Sequence, residues 1–329
     1  GCTSKQDCNK ELFYGTDYLS HLGTKRGGLA TLNKDGFHRT IHSLENAYFR
    51  SKFESDIENL PGNMGVGVIS DTDSQPIIIH SHLGKFAVVT IGKIANLDEL
   101  TQEAFSQNVH FAETSQGDIN PTELVSILIN QKDSFKEGIL NAQTKIKGSC
   151  SMMVLTDSGI FVARDRLGRT PVIIGKRDNA FAASSESSAF SNLGFETEYY
   201  VGPNEIVLMT QEGIQQVQPP GDEMQVCSFL WVYYGYPAST YEGINTENVR
   251  YNCGAALAKR ETEKADLVAG IPDSGIGHAI GFANYSKIPY MRPYVKYTPT
   301  WPRSFMPQNQ EMRDLVARMK LIPIKEIIK

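Results

Sequence analysis

Basic charge, long apolar runs and paired cysteines are what this sequence has little of. Lys and Arg number 32 against 37 Asp and Glu, a formal net charge of −5, and the basic residues are scattered. That balance argues against a nucleic-acid partner and against a polybasic membrane patch. No apolar run approaches the roughly 20 residues that span a bilayer, and no signal peptide opens the chain. The five cysteines, Cys2, Cys8, Cys150, Cys227 and Cys253, are an odd set without a CxxC pair. Reduced thiols in a cytoplasmic protein are expected, rather than a disulfide framework. Internal repeats and low-complexity tracts are missing too.

What remains is ordinary globular material. At 329 residues the chain can bury the cores of about two domains. Leu12-Phe13-Tyr14-Gly15 and the stretch 20–32 read as a helix, a glycine-rich turn and a strand. Strand-like runs follow at Met64–Ile69, Pro76–His80 and Lys85–Thr90, then helical spacing over Leu97–Phe105 and Thr122–Leu140. Strands resume at Ser151–Leu155, Gly159–Arg164, Pro171–Gly175 and Glu205–Thr210. Many strands around a block of helices predict a layered α+β domain. Residues 211–226, polar and holding Pro219-Pro220-Gly221, read as a linker or an exposed connection. A second unit then begins near Cys227, with helices near Asn248–Glu263 and Gln310–Leu321 and no evident finishing strand after Ile322.

Residues 266–283, DLVAGIPDSGIGHAIGFA, organise that second unit. Leu267–Ile271 reads as a buried strand, Pro272-Asp273-Ser274-Gly275 as a tight turn, and Ile276–Ala283 as a helix. The first N–H groups of such a helix carry the positive end of its dipole and can hold an anion. Ser274 can cap the helix and still present a hydroxyl to a phosphate or a hydrated Mg²⁺. An ordinary βα connection uses the same residue types. His80-Ser81-His82 would set two imidazoles on one strand face, a pair that is more often structural than metal-binding without a third ligand.

Several motifs in fixed order resemble the amidophosphoribosyltransferase family. Cys227, Tyr233 and Pro237 match its C-x-x-E-x-[VI]-Y-F-x-R-P-D-S segment, and I-P-D-S-G at 271–275 its V-P-D-S-G loop. Arg303-Ser304-Phe305 nearly matches R-T-F, with Arg313, Val316 and Lys320-Leu321 following at suitable spacing. In the front half, FYG with SHLGTKRGGLA and RDRLGRTPVIIG with ASSESSA resemble its amidotransferase motifs. The resemblance implies an α+β N-terminal-nucleophile amidotransferase sandwich (αββα) over residues 1–215. A truncated α/β type I phosphoribosyltransferase domain over 216–329 would follow it. It implies ammonia transfer, from glutamine or free, to phosphoribosyl pyrophosphate in purine biosynthesis. A non-catalytic paralogue that binds phosphoribosyl pyrophosphate or nucleotides, or regulates an active partner, is the alternative.

Family glutaminases use an N-terminal cysteine as nucleophile, with its own α-amine as base. Cys2 resembles it, but counting back from Gly15 puts Gly1 on the last glycine of C-G-[IV]-F-G and the nucleophile position upstream of residue 1. Otherwise Cys2 is a small strand residue. In G-H-V-R-Y-x-T the arginine has become Val68, and in H-N-G-N-L-x-N the oxyanion asparagine has become Ile91. Gly92 could still offer its N–H. In S-D-T-E register stands Asn120-Pro121-Thr122-Glu123, without the aspartate. Losing one oxyanion donor costs on the order of a hundredfold, so an impaired glutaminase is expected. On the phosphoribosyl side the resemblance gives Asp273, Ser274, Gly275, Arg303 and Lys320 to substrate and Ser274 to Mg²⁺. The D-D-S-[IV]-V-R-G-T-T loop for the ribose phosphate is expected shortly after Lys329. Cys227 resembles an iron–sulfur ligand of some members, and homo-oligomers are expected of the full-length protein.

Overall fold

The computed structural model describes residues 1–23, 25–115, 117–297 and 309–328, which form two compact units, Gly1–Cys227 and Ser228–Lys329. The first unit opens with β1 (Cys2–Ser4), α1 (Asn9–Asp17), β2 (Arg26–Asn33), β3 (Gly36–Ser43), α2 (Phe49–Phe53) and β4 (Met64–Ser70). It continues through β5 (Ile77–Ser81), β6 (Gly84–Ile94), α3 (Leu97–Ser106), β7 (Thr114–Ser115), β8 (Asp118–Ile119), α4 (Pro121–Asn130) and α5 (Phe135–Lys145). It ends with β9 (Gly148–Thr156), β10 (Gly159–Ala163), β11 (Ile173–Arg177), β12 (Ala180–Ser184), α6 (Phe190–Leu193), β13 (Glu196–Tyr200), β14 (Ile206–Met209) and β15 (Ile214–Gln218).

Two antiparallel sheets face each other. One has the order β13-β11-β12-β1-β4-β2-β3, the other β15-β14-β10-β9-β6-β5. Alternation along the strands creates the layers. Ala30, Leu32, Val66, Val68, Ala87 and Val89 join one core drawn from both sheets. Their neighbours face outward. Phe86 and Val88 meet Leu124, Leu128 and Ile139 of α4 and α5, while Leu29 meets Leu12 and Phe13 of α1 and Phe49 and Phe53 of α2. Helices, sheet, sheet and helices are thus stacked as the αββα sandwich.

Several sequence expectations need adjustment. The helical spacing over 122–140 belongs to two helices, because Asn120 caps α4 through Thr122 N and Glu123 N while Ser134 caps α5 anew. The polar run 211–226 is not all linker: Ile214–Gln218 pairs with β14 as an edge strand. Gln225 N also donates to Leu167 O, and these ties carry the first unit past residue 215 to Cys227. Strands β3 and β13 have no counterpart in the sequence reading. Both lie at sheet edges, where exposed polar residues blur the alternation.

The second unit contains a π-helical turn (Leu230–Tyr234), β16 (Thr240–Tyr241), β17 (Ile244–Asn245), α7 (Thr246–Ala258), α8 (Ile276–Ser286), β18 (Tyr294–Lys296), α9 (Gln310–Lys320) and β19 (Leu321–Pro323). Arg250, 1% exposed, donates to the carbonyls of Trp231, Tyr233 and Gly235 and so fixes the π-helical turn on α7. Helices α7 and α8 cross at two glycines. A Cβ on Gly254 would lie 1.8 Å from His278 O, and one on Gly281 2.0 Å from Tyr251 O. The expected buried strand at 267–271 is reduced to a single parallel bridge, Val268 to Tyr290. Pro289 and Pro293 in the partner segment lack the N–H groups a longer ladder needs. A finishing strand does exist: β19 pairs with β18.

Candidate functional site

Two places carry the resemblance, one in each unit. In the first unit, a mostly apolar cavity of about 100 Å³ is lined by strands of both sheets and by α1 and α6, with Cys2, Val68, Thr90, Ile91 and Ser151 in its wall. Val68 and Ile91, the positions of the family's arginine and asparagine, therefore meet at one cavity. Gly92 stands beside it, exposed, at φ +127°. A Cβ there would lie 2.0 Å from Ser149 O, so only glycine fits.

Cys2 sits in mid-sheet, paired to Ala182 on one side and Gly65 on the other, and is 2% exposed. In this sequence its nitrogen is joined to Gly1 in a peptide bond, whereas an N-terminal nucleophile uses a free amine as base. Gly1 N donates to Ala183 O at 2.8 Å. Cys8 Sγ points at Cys2 O, 3.8 Å away. The hydrogen bond to Cys2 and then burial push the Cys8 thiol well above its ordinary range.

Asp73 was missed by sequence reasoning. It follows β4 in the polar run Ser70–Gln75 and is 3% exposed. Its Oδ1 accepts from Ser70, Thr72 and Gln75, and its Oδ2 from Thr122 Oγ1 at 2.6 Å. A carboxylate is thus delivered to the start of α4, where the family's S-D-T-E aspartate has become Pro121, from a different part of the chain. The density of short polar residues over 70–75 was the available signal.

In the second unit, Pro272-Asp273-Ser274-Gly275 forms the turn before α8, and the Pro272–Asp273 peptide is cis. Ser274 is exposed and does not cap the helix. Gly275 is the N-cap, and no side-chain bond closes it. Two of the expected free amides are already used, Gly275 N by Ile271 O and Ile276 N by Asp273 O. On the α7 side, the Glu247 carboxylate lies against the first turn of α8, 2.6 Å from where a Gly277 Cβ would be. A carboxylate there suits the helix dipole. His278 follows in that first turn. Burial and the Arg250 guanidinium lower its pKa, with Glu247 opposing.

Lys296, which the sequence reading did not single out, reaches Asp273 Oδ2 at 2.8 Å. Lys320 instead closes α9, its carbonyl accepting from Tyr297 N. Arg303, with Ser304 and Phe305, lies outside the described residues. Asp273 and Ser274 are hard oxygen donors and fit Mg²⁺, which keeps most of its waters. An iron–sulfur cluster does not fit the thiols present, since Cys2, Cys8 and Cys150 are buried in the first unit and leave Cys227 and Cys253. His82 lies beyond the end of β5, its Nε2 on Lys132 O. Among the described residues no cluster of three or more His, Cys, Asp or Glu is arranged for a metal. Nor is any described helix long and apolar enough to cross a membrane.

Comparison with known proteins agrees over both units. Residues 63–192 match the glutamine amidotransferase domain model. Amidophosphoribosyltransferase of Methanocaldococcus jannaschii is 29% identical, across 97% of this chain and 72% of that protein. The Bacillus subtilis enzyme is 27% identical across 100% of this chain and 70% of that one. The solved structure of glutamine phosphoribosylpyrophosphate amidotransferase from B. subtilis, complexed with ADP and GMP, superposes with a TM-score of 0.87 at 25% identity, covering 100% of this chain and 72% of that one. A second solved structure, the allosteric regulatory enzyme of purine biosynthesis, gives 0.86 at 25% identity, covering 99% and 71%. The sandwich, the phosphoribosyltransferase elements and the near-complete alignment make this chain a divergent homologue of the amidophosphoribosyltransferases of purine biosynthesis.

Proposed function

We propose that this chain serves ammonia transfer to phosphoribosyl pyrophosphate without hydrolysing glutamine itself. One observation carries the reading: Val68 and Ile91 meet at an apolar cavity where the family places a charged clamp and an oxyanion donor. A glutamine's carboxylate and ammonium would lose charge-assisted partners on entering it. Its developing oxyanion would find no amide side chain at Ile91.

The phosphoribosyl half of the reading rests on the turn before α8. Ser274 and Asp273 are exposed there, and Lys296 lies within reach of Asp273. A bound Mg²⁺ would neutralise pyrophosphate oxygens and help the leaving group depart from the ribose. The chain's own part is to present the Ser274 hydroxyl and the Asp273 carboxylate, and to supply the Lys296 ammonium to the phosphate. Purine nucleotides as further ligands and assembly into homo-oligomers belong to the same proposal. So does a division in which the amidotransferase part precedes the phosphoribosyltransferase part.

The decisive assay supplies glutamine and follows ammonia release, beside calorimetry with magnesium phosphoribosyl pyrophosphate. No release from glutamine is expected. Release that disappears in Cys2→Ala would restore Cys2 as nucleophile and end this reading. A second reading, a non-catalytic paralogue, draws on the internal use of Gly275 N, Ile276 N and Asp273. Magnesium-independent binding of nucleotides without binding of phosphoribosyl pyrophosphate would favour it.

A further inference from the structure

Arg26 is a cation without a partner. Its side chain makes no hydrogen bond or ion pair among the described residues, and its Nε is buried. Arg39, Arg50, Arg164, Arg169 and Arg177 of the same unit are each bonded. A buried guanidinium N–H left open calls for an acceptor. The surrounding residues do not supply one. Ser70, the cross-strand partner of Arg26, gives its hydroxyl to Asp73 at 2.9 Å. Asp73 in turn is filled by donors from Ser70, Thr72, Gln75 and Thr122.

Strand register fixes where the guanidinium stands. On β2 and β4 the pairs run Leu32–Met64, Ala30–Val66, Gly28–Val68 and Arg26–Ser70. Ala30, Leu32, Val66 and Val68 belong to the core between the sheets, and side chains alternate along a strand. Arg26 therefore shares the inner face with Val68, as its diagonal neighbour. Such Cβ atoms lie roughly 7–8 Å apart, within reach of a long side chain. Gly28, opposite Val68, has no side chain, and Gln75 O lies 1.8 Å from where its Cβ would be. Gln75 also holds the β6 backbone, accepting from Thr90 N at 2.7 Å and donating to Thr90 O at 3.2 Å. That bridge brings the Arg26 end of β2 to the part of β6 where Ile91, in step with Ala87 and Val89, faces inward.

We propose that Arg26 anchors a site for a small monocarboxylate with an apolar body, its carboxylate on the guanidinium and its body against Val68 and Ile91. The planar fork of arginine matches the two oxygens of a carboxylate. Only one negative charge is matched, because Arg39, the other cation on this face of β3, is committed to Pro76 O at 3.2 Å. Phosphate brings more charge and no apolar part, and the buried Asp73 opposes it. An amino acid such as glutamine brings an ammonium, for which Asp73 has no free oxygen. The inference goes beyond ammonia transfer. Its test involves neither glutamine hydrolysis nor phosphoribosyl pyrophosphate, so either reading can fail while the other stands.

The experiment is a thermal melt of the whole chain against isovalerate, with isoamyl alcohol, isoamylammonium, phosphate and glutamine in parallel at equal ionic strength. Isovalerate should raise Tm in a saturable way, and each of the others less or not at all. Arg26→Gln should weaken the isovalerate effect about tenfold or more, as expected for a lost hydrogen bond to a charged group. Arg26→Lys, which keeps the charge but not the fork, should retain part of it. Circular dichroism confirms that each variant is folded. An equal or larger shift from any of the other four compounds overturns the proposal, as does unchanged isovalerate affinity in folded Arg26→Gln. So does the lack of an isovalerate shift in the unaltered chain, a result that does not depend on any variant folding.

Discussion

Thr122 Oγ1 donates to Asp73 Oδ2 across 2.6 Å, tying the loop after β4 to the first turn of α4. The two residues are 49 positions apart, and no motif links them. Asp73 thereby collects four side-chain donors, from Ser70, Thr72, Gln75 and Thr122. Asp73→Ala should strand the Gln75 and Thr122 donors, which are buried, and destabilise the first unit by about 2–4 kcal/mol. Urea unfolding followed by circular dichroism measures this. A loss below about 0.5 kcal/mol would mean the network is dispensable.

The layered architecture of the first unit was legible because strands such as β2, β4 and β6 alternate between two different cores. Val68 and Ile91 were also legible as departures from a family pattern. What escaped the sequence depended on pairing at a distance. The Asp73 network needs the fold to bring residue 122 to residue 73, and Lys296 meets Asp273 only after β18 has formed. Leu267–Ile271 has the composition of a buried strand, yet prolines in the facing segment limit it to one bridge. Composition records what a segment could do, and its neighbour decides the rest.

The crossing of α7 and α8 leaves no room for a methyl group. Gly281→Ala would put Cβ 2.0 Å from Tyr251 O, and Gly254→Ala 1.8 Å from His278 O. Both contacts are with backbone, which cannot rotate away. Each substitution should cost the second unit about 1–3 kcal/mol or more. Protease susceptibility within residues 228–297 should rise accordingly. Tyr285, half exposed on the same helix α8, provides the control: Tyr285→Ala should leave the digestion pattern unchanged.

Thiol reactivity should divide the cysteines by burial. Cys227 is exposed and Cys253 half-buried, while Cys2, Cys8 and Cys150 are buried. The Cys150 thiol is raised to about 12, first by burial, so thiolate is scarce there at ordinary pH. A thiol reagent at about pH 8, close to an ordinary thiol pKa, should label Cys227 first, then Cys253, and reach the other three only in denaturant. Rapid labelling of Cys150 in the native protein would contradict the buried placement of β9.

Ser274 and Gly275 make unequal tests of the turn before α8. A Cβ on Gly275 would meet Ile271 O at 2.8 Å and Ile271 N at 3.0 Å, so Gly275→Val strains the turn itself and cannot report on a ligand alone. Ser274 is exposed and takes no part in capping, so Ser274→Ala removes a hydroxyl with little effect on folding. If that hydroxyl helps hold a hydrated Mg²⁺, affinity for magnesium pyrophosphate should fall by about 1–3 kcal/mol in Ser274→Ala. Lys296→Met should also weaken it, because the ammonium beside Asp273 would no longer reach the phosphate. Calorimetry with and without Mg²⁺ separates the two contributions. The Ser274 effect should vanish when the metal is withheld, and the Lys296 effect should persist. Normal binding in both variants would reduce the turn to a plain connection between Val268 and α8.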